Sequence, residues 1–359
     1  MPNLTVAVLG PPDFAKELGK KGTTSDITLY NLKRGTDSVT FIEPTRYPEK
    51  IAPLFFAVST ADQAILVVGE VNAAFGESVL MLQCAGVGKG HLVLRNYITR
   101  DQLMPLIQGT VLEEYEVFEG NLSGLRDLLL DEAAGRAPVP GGALHPGAAA
   151  APAREGVPGG SDGPGMGKAS ASGAMSGKPG RSCVGTVPVD HFFNVKGIGP
   201  VILGVVAGGQ VRVHDNLQVL PVGKQVQVRS IQKLDDDAEV AYPGDRVGIA
   251  LKGIEADELD RGYVLSSDPG IRTTDLISGH LELVKYWKLP LKEGMVVHVG
   301  HWMQFLHGRV EMVDDRNGEG RPHVTIRLDR GVVHPPCSRA ILHYLEGGKL
   351  RVMGTIRLP

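Results

Sequence analysis

Little in this sequence could build a covalently or metal-held scaffold. The three cysteines, Cys84, Cys183 and Cys337, stand far apart and form no CxxC pair. That spacing argues against a zinc ribbon or a disulfide framework and fits a reducing compartment. Charge of one sign is missing as well. Lys and Arg number 37 against 40 Asp and Glu, a net charge of −3. A globally basic nucleic-acid binder is thereby excluded, and any RNA contact must be a local patch. No apolar run reaches the ~18–20 residues a bilayer span requires. The N-terminus also lacks a charged region followed by a signal core, so a cytoplasmic protein with no membrane partner is expected. No nucleophile with a base at reach, no paired carboxylates and no metal-ligand spacing emerge, so neither a catalytic residue nor a metal is expected. The histidines of the last third (His298, His301, His307, His323, His334, His343) have no Cys or acidic partner at a recognised spacing, and they read as ordinary strand and loop residues.

What is present is a chain of 359 residues with 42% hydrophobic content, enough for two or three domains with cores of their own. Residues 1–130 alternate in α/β fashion. Leu4-Thr5-Val6-Ala7-Val8-Leu9 is a buried-strand run followed at once by Gly10-Pro11-Pro12-Asp13. Further strands are expected at 38–42, 64–68, 79–83 and 91–94, and helices at 50–59, 100–107 and 124–132. Such alternation predicts a mostly parallel sheet. Residues 131–182 are dominated by Ala, Gly, Pro and Ser and predict a flexible linker, since they cannot bury enough apolar surface to offset the entropy of ordering.

Residues 183–267 change character again. Short β-branched runs at 201–203, 210–213, 225–231 and 246–251 alternate with Gly, Pro and Asp turns, the spacing of a small barrel. Gly197 and Gly199 suit a tight bend, Gly208-Gly209 reads as a hairpin turn and Asp235-Asp236-Asp237 as a solvated turn. Residues 268–359 are β-rich too, with strands expected at 280–287, 295–299, 308–313, 324–328, 340–344 and 349–358.

The barrel stretch resembles the second domain of the elongation factor Tu family of translational GTPases, most closely its archaeal and selenocysteine-specific branch. The likeness rests on Phe193-x-Val195-Lys196-Gly197-x-Gly199-x-Val201-x-x-Gly204, on Asp215, Pro221 and Val228-Arg229-Ser230-Ile231-Gln232, on Ala241-x-x-Gly244-Asp245-Arg246-Val247, and on Arg261-Gly262. Pro200 departs from it. Gly294-x-x-x-His298-Val299-Gly300-His301 is more weakly similar to the third domain of the same factors. The resemblance implies a P-loop α/β domain followed by two β-barrels, with GTP hydrolysis as the family activity.

The first domain departs from that activity motif by motif. A P-loop, G-x-x-x-x-G-K-[ST], cradles phosphates on backbone N–H groups and sets a hydroxyl on magnesium. The matching window is Gly10-Pro11-Pro12-Asp13-Phe14-Ala15-Lys16-Glu17. Gly10, Asp13 and Lys16 keep their places. Ala15 replaces the second glycine, Pro11 and Pro12 remove two donors, and Glu17 sets a carboxylate where the hydroxyl belongs. Where the family has Asp-x-x-Gly-His, this chain has Glu43-Pro44-Thr45-Arg46-Tyr47. Where the guanine-reading Asn-Lys-x-Asp belongs, it has Arg95-Asn96-Tyr97-Ile98-Thr99, and where Ser-Ala belongs, Glu116-Val117-Phe118. The pattern is that of a pseudo-GTPase with no cofactor expected; a divergent active GTPase would need GTP and magnesium. The long linker adds an expectation of weak mechanical coupling between the first domain and the barrels. The cluster Gly19-Lys20-Lys21-Gly22-Thr23-Thr24-Ser25 is a displaced phosphate loop, an RNA-facing patch or a solvated loop. The lack of a strand just before it favours the last.

In the selenocysteine-specific branch, an acidic–basic pair before the barrel glycines and an arginine near the Gly-Asp-Arg turn are associated with the charged amino acid. The matching positions are Asp190, His191 and Arg246, with His191 replacing an arginine. Alternatively, Asp190 caps a turn and Arg246 pairs with a nearby carboxylate. Three functions stay open: a non-hydrolysing translation-factor homologue binding tRNA or a ribosomal site, a divergent GTPase, or an adaptor for a translation-factor protein partner.

Overall fold

The computed structural model describes residues 3–136, 184–314, 321–346, 348 and 350–359. Domain 1 is organised around β1 (Asn3–Leu9), buried along its whole length as a strand covered on both faces must be. It is followed by β2 (Lys20–Thr24), β3 (Ile27–Arg34), β4 (Asp37–Pro44), α1 (Ala52–Ser59), β5 (Gln63–Val68), α2 (Ala73–Ala85), β6 (Gly90–Leu94), α3 (Arg100–Ile107), β7 (Glu116–Val117) and α4 (Leu122–Ala134). The sheet order is β2-β3-β4-β1-β5-β6-β7. It is parallel from β4 to β7, with the β2–β3–β4 meander as an antiparallel edge. One face carries α1, α2 and α3 through Phe55, Leu82 and Leu103. The other carries α4 and the segment after β1 through Leu125, Leu129, Phe14 and Leu18.

Two expectations for this domain need correction. Residues 79–83 are not a strand but lie inside α2, capped by Asn72, whose side chain accepts from Phe75 N, and closed by Gly86 at φ +70°. A short apolar run fits a buried strand and a buried helix equally, and here the helix is covered on more than one side. Residues 20–24 are not a loop but the exposed edge strand β2, bulged between Lys21 and Thr24. Its polar composition hid it, because an edge strand with one partner has no buried face to advertise. Of the stretch expected as a linker, Asp131 to Ala134 complete α4, and everything from residue 137 to 182 lies outside the described residues.

The first barrel comprises β8 (Thr186–Val195), β9 (Gly199–Val205), β10 (Val211–Arg212), β11 (Asn216–Leu220), β12 (Lys224–Lys233), β13 (Asp236–Ala238), β14 (Val240–Ala241), β15 (Arg246–Lys252) and β16 (Val264–Ser266). Its closed ring runs β11-β16-β8-β9-β15-β12 and back to β11, with β13 appended and β10–β14 a separate ribbon. Gly197 and Gly199, at φ +82° and +98°, turn the β8–β9 hairpin. Gly208-Gly209 makes no hairpin, since β10 pairs with β14. A Cβ on Gly209 would fall 1.3 Å from Val184 O, so this glycine serves a close backbone approach. Of the three aspartates, Asp235 turns the chain at φ +72° while Asp236 and Asp237 belong to β13.

The second barrel is β17 (Arg272–Leu283), β18 (Val296–His301), β19 (Gln304–Asp314), β20 (His323–His334), β21 (Arg339–His343) and β22 (Val352–Arg357), closed in the order β17-β20-β19-β18-β21-β22. The architecture is therefore an α/β domain and two six-stranded barrels. Domain 1 packs on both. Met303, Ile341 and Val352 of the second barrel share a core with α1 and α2. Phe55 fits so closely on Gly300 that a Cβ there would meet its ring at 2.6 Å. The expectation of weak coupling fails for this reason: side-chain packing holds the domains together, whatever the length of the covalent tether. Among the described residues no helix is long and apolar enough to cross a membrane.

Candidate functional site

The segment after β1 leaves the sheet at Gly10, φ +131°, where a Cβ would lie 2.4 Å from Val67 O. Asp13 follows in left-handed geometry at φ +67°. Phe14, Ala15 and Leu18 then turn inward into the core, while Lys16 and Glu17 face solvent. Glu43, at the end of β4, reaches back so that Phe14 N–H donates to its Oε1 at 3.0 Å. Burial pushes this carboxyl up; the N–H groups of Ala15 and Phe14 pull the other way without cancelling it. The loop's inward-facing donors are thus satisfied by a carboxylate of the chain itself. At the end of β6, the Arg95 guanidinium lies 5.3 Å over the Phe14 ring, and the next two residues, Asn96 and Tyr97, both have positive φ.

Arg46 and Tyr47 do not join this group. Arg46 is exposed. The Tyr47 hydroxyl donates to Ala74 O at 2.7 Å and lies 3.3 Å from Glu77 Oε2. Burial, with Glu77 close by, pushes that phenol well above its usual range. This side chain faces α2 and the second barrel rather than the loop after β1.

Asp190, His191 and Arg246 come together. Asp190 sits where the register of β8 against β9 shifts between Val189 and His191, and a bulge of this kind re-aims a side chain. Its carboxylate accepts two bonds from Arg246, one at Oδ2 and one from Nη2 to Oδ1 at 2.9 Å. His191 Nδ1 lies 2.7 Å from Asp190 Oδ1. Burial raises the Asp190 carboxyl, but the Arg246 charge and the His191 hydrogen bond outweigh it, leaving it below the usual carboxylate range.

Sequence reasoning missed what continues this network into domain 1. His191 Nε2 lies 2.9 Å from Ser25 Oγ. Arg261 donates through Nε to Asp190 O at 2.9 Å, through Nη1 to Asp26 Oδ1 at 2.5 Å and through Nη2 to Ser25 Oγ at 2.9 Å. Its guanidinium also lies 5.1 Å over the Phe56 ring. Arg261 figured in the sequence only as part of a barrel motif. Ser25 and Asp26 carried no local signal, because their partners are more than 160 residues away.

Above this network opens a cleft of about 690 Å³ between domain 1 and the first barrel. One wall is β2 with its exposed Lys20 and Lys21; the other is the barrel surface, with Phe193, Ile198 and Leu203 on it and Arg246 at its floor. Neither Lys20 nor Lys21 forms an ion pair among the described residues, whereas Lys33 is held by Asp236. Chemically the cleft offers free positive charge opposite an apolar face, which suits a ligand carrying both phosphate and a stacking or apolar group. Among the described residues no cluster of three or more His, Cys, Asp or Glu side chains could hold a metal.

A sequence profile for elongation factor Tu domain 2 matches residues 199–266. An uncharacterised protein of Methanocaldococcus jannaschii is 32% identical over 100% of both chains. The selenocysteine-specific elongation factor of the same organism is 40% identical over 114 residues, 32% of this chain and 24% of that protein. Among solved structures, translation elongation factor SelB from Methanococcus maripaludis with the GTP analogue GppNHp superposes at a TM-score of 0.76 and 20% identity, covering 100% of this chain and 79% of that one. Its apo form gives 0.72.

Proposed function

The chain belongs to the elongation factor Tu/SelB family of translational GTPases, and from that premise we propose a translation factor that has lost its nucleotide switch. It takes the 3′ end of a transfer RNA in the cleft between domain 1 and the first barrel. The cleft carries this reading, with Lys20 and Lys21 unpaired opposite the apolar barrel wall. Phosphates meet the lysines, and bases or an aminoacyl group meet Phe193 and Ile198. A basic loop on the second barrel (Lys285, Lys288 and Lys292, with exposed Tyr286) supplies a second footing for an RNA backbone.

Loss of the switch is supported by the loop after β1. There Glu43 takes the donor a phosphate would need, the prolines offer no N–H, and no hydroxyl stands at Glu17. On this reading GTP hydrolysis is not the protein's activity, and neither GTP nor magnesium is its cofactor. The selenocysteine specificity of the named relatives does not transfer. Arg246 is neutralised by Asp190, and His191 already spends both ring nitrogens inside the protein, so no free guanidinium awaits an anionic side chain.

The experiment is a pair of titrations at moderate salt, labelled GTP with magnesium in one and charged or uncharged tRNA in the other. Binding of tRNA without binding of GTP is expected. Micromolar, magnesium-dependent GTP binding would establish a divergent GTPase instead, and no tRNA or ribosome binding even at low salt would leave an adaptor for a protein partner.

A further inference from the structure

Tyr47 stands where the family has the histidine of its Asp-x-x-Gly-His motif, yet it is built into a contact with the second barrel. Arg351, just before β22, donates through Nε to Glu77 Oε1 at 2.8 Å and through Nη2 to Glu77 Oε2 at 2.5 Å. Its backbone N–H reaches Oε1 as well, at 3.2 Å. Glu77 projects from α2 with only 4% of its side chain exposed, and Arg351 is 17% exposed. Tyr47 closes the pair from the side: its hydroxyl lies near Glu77 and its ring lies 6.0 Å beneath the Arg351 guanidinium. Arg351 Nη1 also donates to Glu49 O, two residues beyond Tyr47, at 3.4 Å. A forked pair of this kind is shielded from salt and fixes orientation as well as distance. Beside it lies the shared core of Phe55, Met303 and Ile341.

We propose that Tyr47, Glu77 and Arg351 form a standing clamp. It holds domain 1 on the second barrel in one arrangement, with or without nucleotide, so that this contact is set by side chains rather than by a γ-phosphate. In a switching GTPase the segment after this strand is ordered by phosphate contacts and released on hydrolysis. Here the same segment is ordered by groups present in every state. A ligand can shift an arrangement only through a difference in its affinity for two states, and Tyr47, Glu77 and Arg351 face one another rather than the loop after β1, so a nucleotide at that loop would meet none of them. The inference rests on the interface alone and stands or falls independently of RNA binding.

The test is the distance distribution between spin labels at Asp101→Cys in α3 and Thr273→Cys in β17, both exposed positions, in a chain whose native cysteines are replaced. One distribution, unchanged by Mg-GDP or by a non-hydrolysable GTP analogue, is expected. Glu77→Gln with Arg351→Met leaves no buried unpaired charge and should broaden the distribution or add a longer distance. If that double variant fails to fold, Tyr47→Phe removes only the hydroxyl and should broaden it to a smaller degree. A wild-type distribution that moves with nucleotide, or variants that reproduce the wild-type distribution, would overturn the clamp.

Discussion

At the scale of single residues, burial decides which charges matter. Arg246 and Asp190 are 8% and 7% exposed at their side chains, whereas Arg261 and Asp26 are 22% and 26% exposed. Removing one partner of a buried pair strands the other charge and costs about 3–5 kcal/mol. Removing a partner from a partly exposed pair forfeits roughly 1–3 kcal/mol, because water takes over part of the bonding. Arg246→Met should therefore lower the melting temperature more than Arg261→Met, although Arg261 donates three hydrogen bonds to other residues. Equal melting temperatures would mean that Asp190 is less isolated than the geometry indicates. Asp190, His191 and Arg246 could be picked out of the sequence because the resemblance to the selenocysteine-specific factors singles out their positions. That they form one buried unit could not, because it depends on a one-residue bulge in β8 that no composition announces. Glu43 was legible as a departure from a motif, but its bond to the loop after β1 spans 29 residues and needed the sheet to be seen.

At the scale of elements, strands with a buried face were readable and exceptions follow a rule. β1, β5 and β6 appear as apolar runs because both faces of the sheet are covered, and the barrel strands appear as alternation because one face is wet. β2 has neither property, and α2 is apolar on too many sides to show a helical stripe. The strand β21 carries a consequence of such burial. His343 packs between Phe55 and Phe305, and burial lowers its imidazole from 6.5 to about 3. The unfolded chain then takes up a proton below about pH 6.5 that the folded chain refuses, so folding weakens as pH falls from 6.5 toward 3. The slope contributed is about 1.4 kcal/mol per pH unit at most. His298, also lowered by burial and by its neighbour His307, adds a smaller effect of the same sign. Thermal melts of His343→Phe between pH 7 and about 4.5, above the range where paired carboxylates such as Asp190 begin to titrate, should fall less steeply than those of wild type. Parallel curves would show that the histidine is wetted before it is charged.

For the whole molecule, the α/β domain and two barrels matter because, among the described residues, their packing leaves a cleft of about 690 Å³ against the first barrel and only about 50 Å³ against the second. Phe55, Met303 and the Glu77–Arg351 pair close the latter. Along the former, Arg261, Ser25 and His191 tie only the floor, and β2 stands off above them with its lysines free. A net charge of −3 gives no general attraction to RNA, so binding in the seam must draw on those few cations. Each phosphate neutralised on a single strand contributes about −0.7 to the slope of log K against log salt. Lys33 is occupied by Asp236, which leaves Lys20 and Lys21 and a contribution of about −1.4 from the cleft. Replacing both, Lys20→Ala with Lys21→Ala, should flatten the measured slope for a tRNA by about that amount. The slope of wild type should be the same with GDP, with a GTP analogue and with neither, since the loop after β1, whose Phe14 N–H is taken by Glu43, is not expected to bind a nucleotide. A double variant with the wild-type slope would move the RNA off this cleft, and a slope that changed with nucleotide would restore the switch.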